Sequence, residues 1–304
     1  MSYQPLCPIR PITVDALYSV HYFEYSSDYS FAGERHDFWE LLYVDKGELT
    51  VTAGEKQLEL VSGQIIFHEP GEFHALSARD GTAPDLVVLS FSCASEAMHI
   101  LSGCLTTIGA EERALLGRIV EESCTAFETP LGDPTTQVLL RRRDAPFGAE
   151  QRITAALEEL LIRIIRQQTG TAGKRDPEAD PESAWLASME DYLRARLDQP
   201  LTLEQICRDN LIGRSQLQKR FHAQTGGGVM AYFAKMKIQT ARRLIREGNL
   251  NVTQIAAQLG YQSVHYFSRH FKQHTGMSPS QYAKSVKMLS GLPGTPVDDR
   301  TNNV

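Results

Sequence analysis

The spacing of hydrophobic residues divides this 304-residue chain into a strand-like part and a helix-like part. Between residues 32 and 91, short runs of β-branched, aromatic and leucine side chains are interrupted by turn residues. The interruptions recur every roughly 8–12 residues, which predicts an all-β sandwich or barrel. Residues 111–126 and 149–168 follow with apolar side chains at the helical period, so we expect two amphipathic helices after the strands.

A polar stretch at residues 169–183 (TGTAGKRDPEADPES) separates this region from the rest of the chain. It is rich in Gly, Pro and charge, and Ala is its only apolar residue type, so we expect a solvated linker. We therefore assign residues 1–168 to an N-terminal domain, residues 184–289 to a C-terminal helical domain, and residues 290–304 to a disordered tail. The chain length agrees with two domains that each bury a core.

The C-terminal part contains one pattern twice. Residues 201–226 align with residues 250–276 when one residue is inserted in the turn of the second copy. Matching residues include Leu201 and Leu250, Ile206 and Ile255, and Phe221 and Phe271. Two copies indicate a duplicated motif rather than a longer repeat array.

Each copy predicts a helix, a short turn and a second helix. Thr202 with Gln205, and Asn251 with Gln254, have the spacing of a capping box, in which two residues satisfy each other's backbone N–H groups at a helix start. The second helix of each copy has apolar residues four positions apart, namely Leu217 and Phe221, then Phe267 and Phe271. This arrangement is the helix-turn-helix pattern.

Positive and negative residues are distributed unevenly along the chain. The whole chain has a net charge of −6, which by itself argues against a nucleic-acid partner. Residues 184–289, however, contain 15 Lys and Arg against six Asp and Glu, a net charge of +9, so the rest carries −15. This asymmetry is typical of a basic binding module joined to an acidic domain.

The polar faces of the two second helices suit the major groove of DNA. They offer hydroxyl, amide and basic side chains and no carboxylate: Arg214, Ser215, Gln218, Lys219 and Arg220, then His265, Ser268, Arg269 and Lys272. A basic face that is merely solvated is the alternative. Between the copies, residues 229–246 lack Gly and Pro and predict a helix of about 27 Å. Such a connector can hold two helices near the ~34 Å spacing of successive major grooves.

Residues 184–287 resemble the DNA-binding domain of the AraC family of bacterial transcription regulators, most closely over residues 255–282 (IAAQLGYQSVHYFSRHFKQHTGMSPSQY). The resemblance implies base contacts by Ser215, Gln218 and Lys219 in the first motif, and by Val264, His265, Ser268 and Arg269 in the second. The first copy departs from the family pattern. It has Gly213 where a capping Ser is common, and Gly228-Val229 where the second copy has Ser278-Pro279. Both departures predict weaker helix starts in the first motif.

The N-terminal part contains His36-x3-Glu40-x6-Gly47, then Gly63 and Pro70-Gly71-x2-His74. This pattern resembles the cupin barrel that serves as the sensor domain of AraC-type regulators, where a β-barrel encloses a small-molecule cavity. The resemblance implies effector binding by His36, Glu40 and His74. Nearby Trp39, Phe67, His68 and Phe73 are expected to pack within the barrel.

The same pattern raises the question of a metal. Metal-binding cupins bring two His, a Glu and a further His to one ion, and here the first of these positions is Glu34. Glu34, His36, Glu40 and His74 are therefore candidate ligands for a divalent metal, since carboxylate and imidazole suit Zn, Fe, Ni or Mn. We expect no cofactor, with the histidines forming hydrogen bonds within the pocket or contacting an effector, and metal binding by these four residues is the alternative.

Together these features predict an α+β two-domain protein, with an N-terminal cupin-like β-barrel and trailing helices, and a C-terminal all-α domain with two helix-turn-helix motifs. We expect a sequence-specific DNA-binding transcriptional regulator that is controlled by a small-molecule effector in the barrel and is not an enzyme. A metal-dependent cupin enzyme with an accessory helical domain is the alternative.

The expected partners are double-stranded promoter DNA, a small-molecule effector, a second copy in a homodimer, and RNA polymerase if the protein activates transcription. The helix over residues 149–168 pairs two copies, packs on its own barrel, or does both. Five scattered cysteines without a CxxC pair predict reduced thiols, and the absence of a long apolar run predicts a cytoplasmic protein that does not enter the membrane.

Overall fold

A computed structural model describes residues 3–79, 81–134, 138–171 and 181–289 of the chain. The described residues separate into two compact units, one within residues 3–171 and the other within residues 181–289. Most of the predicted linker and all of the predicted tail lie outside the described residues. Within the described ranges, no helix combines the length and the apolar character needed to cross a lipid bilayer.

The described part of the N-terminal unit contains nine strands and two α-helices. The elements are β1 (Ala16–Glu24), β2 (Ser30–Glu34), β3 (Trp39–Lys46), β4 (Glu48–Ala53), β5 (Lys56–Val61), β6 (Gln64–His68), β7 (His74–Ala78), β8 (Asp85–Ser92), β9 (Leu105–Thr107), α1 (Ala110–Ala126) and α2 (Ala149–Gln168). The strands form two antiparallel sheets, with the orders β1-β8-β3-β6-β9 and β2-β7-β4-β5. The antiparallel β domain with trailing helices is confirmed, whereas closure of its two sheets into a cupin-like barrel stays a prediction.

Strand β3 shows how the two sheets and the helices share one core. Leu42 and Val44 pack with side chains of the four-stranded sheet, between the two sheets. Leu41 and Tyr43 point the opposite way and pack with residues of α1 and α2. Because side chains alternate along a strand, β3 is buried on both faces, which explains its nearly continuous apolar run.

Helix α2 packs its apolar stripe onto its own unit. Ile153, Leu157, Leu160, Leu161 and Ile164 are all fully buried in the cluster that joins the five-stranded sheet to α1. The structure thus confirms the packing alternative for this stripe. Homodimerisation stays a prediction.

The described part of the C-terminal unit is helical. Its elements are α3 (Pro181–Arg194), α4 (Leu203–Asp209), α5 (Arg214–Thr225), α6 (Val229–Glu247), α7 (Val252–Gln258), α8 (Val264–Thr275) and α9 (Pro279–Leu289). Helices α4 and α5 form the first helix-turn-helix motif, and α7 and α8 form the second. Helix α3 starts three residues before the predicted domain boundary, at Pro181, a residue type that suits the first helical position.

Helix α6 runs through both cores of this unit. Val229 and Phe233 belong to the cluster of the first motif, whereas Ile238, Ala241 and Ile245 belong to the cluster of the second. The predicted connector is therefore confirmed as one continuous helix that both motifs pack against.

The helix starts differ between the two motifs as the sequence predicts. Both capping boxes form, since Thr202 caps α4 with Gln205 and Asn251 caps α7 with Gln254. In the second motif Ser263 Oγ also accepts a hydrogen bond from the backbone N–H of the third residue of α8, at 3.1 Å. Helices α5 and α6 start at glycines without a side-chain cap, so the first motif lacks this local support.

Leu211, in the turn of the first motif, has a left-handed backbone with φ 51° and a side chain that is 95% exposed. Gly260 occupies the equivalent place in the second motif. Because a β-carbon costs about 1 kcal/mol in this conformation, we expect Leu211→Gly to raise the free energy of unfolding by about 0.5–1 kcal/mol. Urea unfolding of the full chain measures the change.

Gly260→Leu is the matched control for this prediction. A β-carbon at residue 260 would lie 2.3 Å from the carbonyl oxygen of Asp198, so this substitution is expected to destabilise the unit strongly. If Leu211→Gly lowers the stability instead, the exposed leucine contributes contacts that outweigh its strained backbone.

Candidate functional site

Two rows of polar side chains face each other at one end of the space between the sheets. In the five-stranded sheet, the strand register places Ser90, Glu40 and His68 side by side on β8, β3 and β6. In the four-stranded sheet, His74 on β7 pairs with Glu34 at the end of β2. The register of five strands therefore builds one polar pocket at this end of the domain.

The four predicted ligand residues meet in this pocket. One candidate ligand atom from each of Glu34, His36, Glu40 and His74 lies within 4.8 Å of the others. His74 Nε2 lies 3.3 Å from Glu40 Oε1 and 3.8 Å from Glu34 Oε1, and His36 Nε2 lies 3.6 Å from Glu40 Oε2. Glu40 and His74 are only 7% and 3% exposed, so their charges interact at low dielectric.

The hydrogen bonds of the two histidines fix which ring nitrogen carries a proton. His36 Nδ1 lies 2.9 Å from the carbonyl oxygen of Phe38, and His74 Nδ1 lies 3.3 Å from that of Glu72. A carbonyl oxygen only accepts, so each Nδ1 donates, and a neutral ring then presents its Nε2 lone pair to Glu40. Neither Nε2 has a hydrogen-bond partner in the described part of the chain. Lone pairs that face a carboxylate require a positive charge between them, either a ring proton or a bound cation.

His68 belongs to the pocket as well, which the sequence analysis missed. It is fully buried, as expected for barrel packing, but its Nδ1 lies 2.8 Å from Glu72 Oε2 and its ring stacks on that of His74 at 4.5 Å. The signal that could have found it is its register position opposite Glu40 on the adjacent strand. Trp39 and Phe67 are buried in the core as predicted, and Phe73 is half-buried with Arg35 above its ring.

Burial and mutual charge set the protonation of these groups. Burial raises the pKa of Glu40, but its interactions with His36 and His74 outweigh burial and hold this pKa below its usual value. Burial lowers the pKa of His74, yet the interaction of this ring with the adjacent carboxylate of Glu40 raises it overall. Burial, and then the charge of His74, lower the pKa of His68. Burial, and then the charge of Glu40, raise the pKa of Glu34. Without a cation, the negative charge of Glu40 therefore favours the protonated form of His74.

In the second candidate site, each recognition helix is anchored by two buried residues and exposes a polar row. Leu217 and Phe221 anchor α5, and Phe267 and Phe271 anchor α8, all fully buried. Seven predicted DNA-binding residues are exposed and two are half-buried: Arg214, Ser215, Gln218, Lys219, His265, Arg269 and Lys272, then Val264 and Ser268. The structure therefore brings these nine residues onto two helix faces of one unit.

Arg220 is an exception, and its assignment to the exposed row is corrected. Its Nε donates to Glu182 Oε2 at 2.6 Å, and its guanidinium lies 4.2 Å from the centre of the Trp185 ring. Both partners are on α3, so Arg220 lies on the side of α5 that faces α3. The contact joins residues 38 positions apart, and helix periodicity alone does not reveal it.

Tyr266 is a further exposed aromatic residue on α8 that the sequence analysis omitted. Its side chain is 58% exposed, and its ring stacks on that of His270 at 5.9 Å. The Tyr261 hydroxyl in turn lies 2.8 Å from His270 Nδ1. Tyr266 directly follows His265 in the first turn of a recognition helix, and this position could have identified it from the sequence.

The amino-acid sequence matches the AraC-like ligand binding domain family over residues 17–116 and a helix-turn-helix domain family over residues 206–285. The HTH-type transcriptional regulator YfiF of Bacillus subtilis is 25% identical over 281 residues, which cover 90% of this chain and 85% of that protein. The MmsAB operon regulatory protein of Pseudomonas aeruginosa is 26% identical over 296 residues, which cover 93% and 87%. Fatty-acid-bound ToxT of Vibrio cholerae aligns with 93% of this chain and 99% of its own, at 15% identity and a TM-score of 0.32.

The two family matches fall on the two units in the order that the fold shows. The first covers the strands and the polar pocket, and the second runs from within α4 to within α9 and so spans both helix-turn-helix motifs. The protein is therefore a DNA-binding transcriptional regulator of the AraC family, with an AraC-like ligand-binding domain followed by a helix-turn-helix domain.

Proposed function

We propose that α5 and α8 enter successive major grooves of promoter DNA and that each reads one half of a two-part site. The supporting observation is the pair of exposed donor rows on equivalent helices that pack against one continuous helix. The 19 residues of α6 correspond to about 28 Å at 1.5 Å per residue. This length is close to the ~34 Å between successive grooves on one face of DNA.

Some side chains of α8 would contact base edges, and others would contact phosphates. An arginine fork such as that of Arg269 pairs with guanine edges, whereas a lysine such as Lys272 serves as a point charge for phosphate. We expect Arg269→Ala to lose about 1–3 kcal/mol of discrimination at one base position. Lys272→Ala is expected to weaken all DNA about equally and to reduce the salt slope by about 1.

Binding is measured on a duplex selected from a random-sequence pool and on its scrambled form, at several salt concentrations. Lys284→Ala is the matched control, because it removes one exposed charge from α9, outside both recognition helices. The proposal fails if Arg269→Ala keeps the full preference for the selected duplex, or if binding does not weaken with added salt.

We further propose that the pocket of Glu34, His36, Glu40 and His74 binds a divalent cation. The supporting observation is the fixed Nδ1 donors, which leave the two buried Nε2 atoms directed at Glu40 without a hydrogen-bond partner among the described residues. Histidines held in this way by a backbone carbonyl are typical of metal ligands. A bound cation would supply a Lewis-acidic position for oxygen atoms of a small-molecule effector.

The cation proposal is tested by equilibrium dialysis of the purified chain against Zn²⁺, Mn²⁺, Ni²⁺ and Fe²⁺ in turn. We expect one equivalent of at least one metal to remain bound. A metal-dependent cupin enzyme, the alternative from the sequence, would also need such a pocket. The match to a ligand-binding domain of regulators favours a sensing role instead.

We propose that occupancy of the pocket biases the DNA-binding unit, since a ligand that binds one arrangement of a protein better than another shifts the population towards it. The tandem order of a ligand-binding and a DNA-binding domain supports this role. Because bacterial promoter DNA lies in the cytoplasm, we place the protein there. Action as a homodimer and contact with RNA polymerase during activation belong to the same proposal.

A further inference from the structure

Lys237 is a buried lysine at the place where the two motifs of the C-terminal unit meet. It lies on α6, between the residues that pack in the first core and those that pack in the second, and it is 7% exposed. Its ammonium donates to the backbone carbonyl of Gln199 at 2.8 Å and to that of Leu259 at 2.7 Å. Gln199 lies in the segment that leads into α4, and Leu259 directly follows α7, so one side chain joins the entry to the first motif with the turn of the second.

The surroundings of Lys237 show a tightly closed junction. Its Nζ lies 5.0 Å from the ring centre of Phe233 and 5.2 Å from that of Tyr261, which places the charge between two aromatic faces. A β-carbon at Gly260 would lie 2.3 Å from the carbonyl oxygen of Asp198, so the two backbones are in direct contact here. A buried charge is costly unless its hydrogen bonds are made, and burial lowers the pKa of Lys237.

A chain of contacts leads from Lys237 to the second recognition helix. The ring of Tyr261 lies under the ammonium, and its hydroxyl lies 2.8 Å from Nδ1 of His270 on α8. On the other side, Gln199 is two residues from Leu201, which is buried in the core of the first motif together with Leu217 of α5. Lys237 is thus linked to the supports of both recognition helices.

We propose that Lys237 is a positioning residue that fixes the spacing and angle between α5 and α8, so that both halves of a DNA site are bound at once. This inference rests on the proposed two-part reading of DNA. An apolar side chain could fill the same volume, but it would leave the carbonyls of Gln199 and Leu259 without their shared donor. The two motifs would then be free to change their relative orientation around α6, while each motif kept its own core.

The test compares Lys237→Met and Lys237→Arg with the unchanged full chain. Three duplexes are used: one with both selected half-sites, one with the second half-site scrambled, and one with the half-sites moved apart by two base pairs. We expect Lys237→Met to bind the single half-site within about threefold of the unchanged chain, yet to lose about tenfold or more on the complete site, because linked modules gain affinity only when their geometry allows joint binding. It should also discriminate less against the altered spacing. Lys237→Arg, which keeps the charge and the donors, is expected to restore most of this loss.

Tyr261→Phe is a second variant, which decides the matter if Lys237→Met does not fold. It removes only the hydroxyl that meets His270, and a smaller loss of the same kind is expected, with affinity for the single half-site unchanged. An equal loss on single and complete sites, or no loss on either, would overturn the positioning role. If the unchanged chain gains nothing from the second half-site, the two-part reading of DNA itself fails, whatever the variants do.

Discussion

Replacement of Phe271 by alanine is expected to lower the free energy of unfolding of the C-terminal unit by about 3–5 kcal/mol, the range for emptying a buried phenylalanine site. Phe271 is fully buried in the core of the second motif. Its ring contacts that of Phe267 at 5.8 Å and that of Tyr282 at 5.6 Å, so the substitution removes the centre of an aromatic cluster. The rings that remain cannot close this space without moving α8, so recognition of the second half-site should also be lost.

Urea unfolding of the full chain measures the loss of stability. Binding of the folded chain to duplexes that contain only one half-site measures the loss of recognition. Tyr266→Ala is the matched control, since it removes an aromatic ring from the same helix at a position that is 58% exposed. It is expected to change stability by no more than about 0.5 kcal/mol. Phe221→Ala should have the same cost as Phe271→Ala but should affect the first half-site. Equal loss of both half-sites in Phe271→Ala would show that the motifs do not fold around separate cores.

The helices of this protein follow from local sequence signals. Residues 149–168 and 229–246 were expected as helices, and α2 (Ala149–Gln168) and α6 (Val229–Glu247) match these bounds to within one residue. The capping pairs were also predicted correctly, because a capping box involves residues only three positions apart. Apolar period and capping chemistry are properties of a single segment, so they can be recognised without knowledge of the tertiary fold.

Local sequence signals give an incomplete account of residues at which distant segments meet. Arg220 appeared to belong to the exposed row because helix periodicity does not reveal α3, where Glu182 and Trp185 hold its side chain. His68 appeared to be packing alone because its relation to Glu40 depends on the register of β3 with β6. A one-residue change of that register would move His68 to the opposite face of the sheet.

The pocket residues themselves were predicted through family resemblance, and the fold adds what the resemblance did not contain. Spacing alone does not place Glu34 opposite His74, because they are 40 positions apart and meet through the pairing of β2 with β7. Nor does it show that backbone carbonyls fix the Nδ1 protons of His36 and His74. That detail shows that the pocket needs a positive charge between the histidines and Glu40, which either a ring proton or a bound cation would supply.

Glu40→Gln is expected to abolish the stabilisation of the N-terminal unit by a divalent cation. A cation at 100 times its dissociation constant stabilises a folded protein by about 2.7 kcal/mol, so the unchanged chain should unfold at a clearly higher temperature with metal than without. Glutamine has nearly the same shape as glutamate but lacks the charge, and Glu40 is the carboxylate that both His36 and His74 approach. The measurement is the difference between unfolding temperatures with and without metal, which does not depend on how much the variant loses before metal is added.

His21→Asn is the matched control for Glu40→Gln. His21 is also a buried histidine of the same sheet, at 8% exposure, but its Nδ1 lies 3.2 Å from the carbonyl oxygen of Leu131, and it is outside the ligand cluster. This variant should keep the full shift with metal, whereas His74→Ala should lose it as Glu40→Gln does. An undiminished shift in both Glu40→Gln and His74→Ala would place the cation elsewhere. The pocket would then be a His–Glu pair held by a ring proton rather than a metal site.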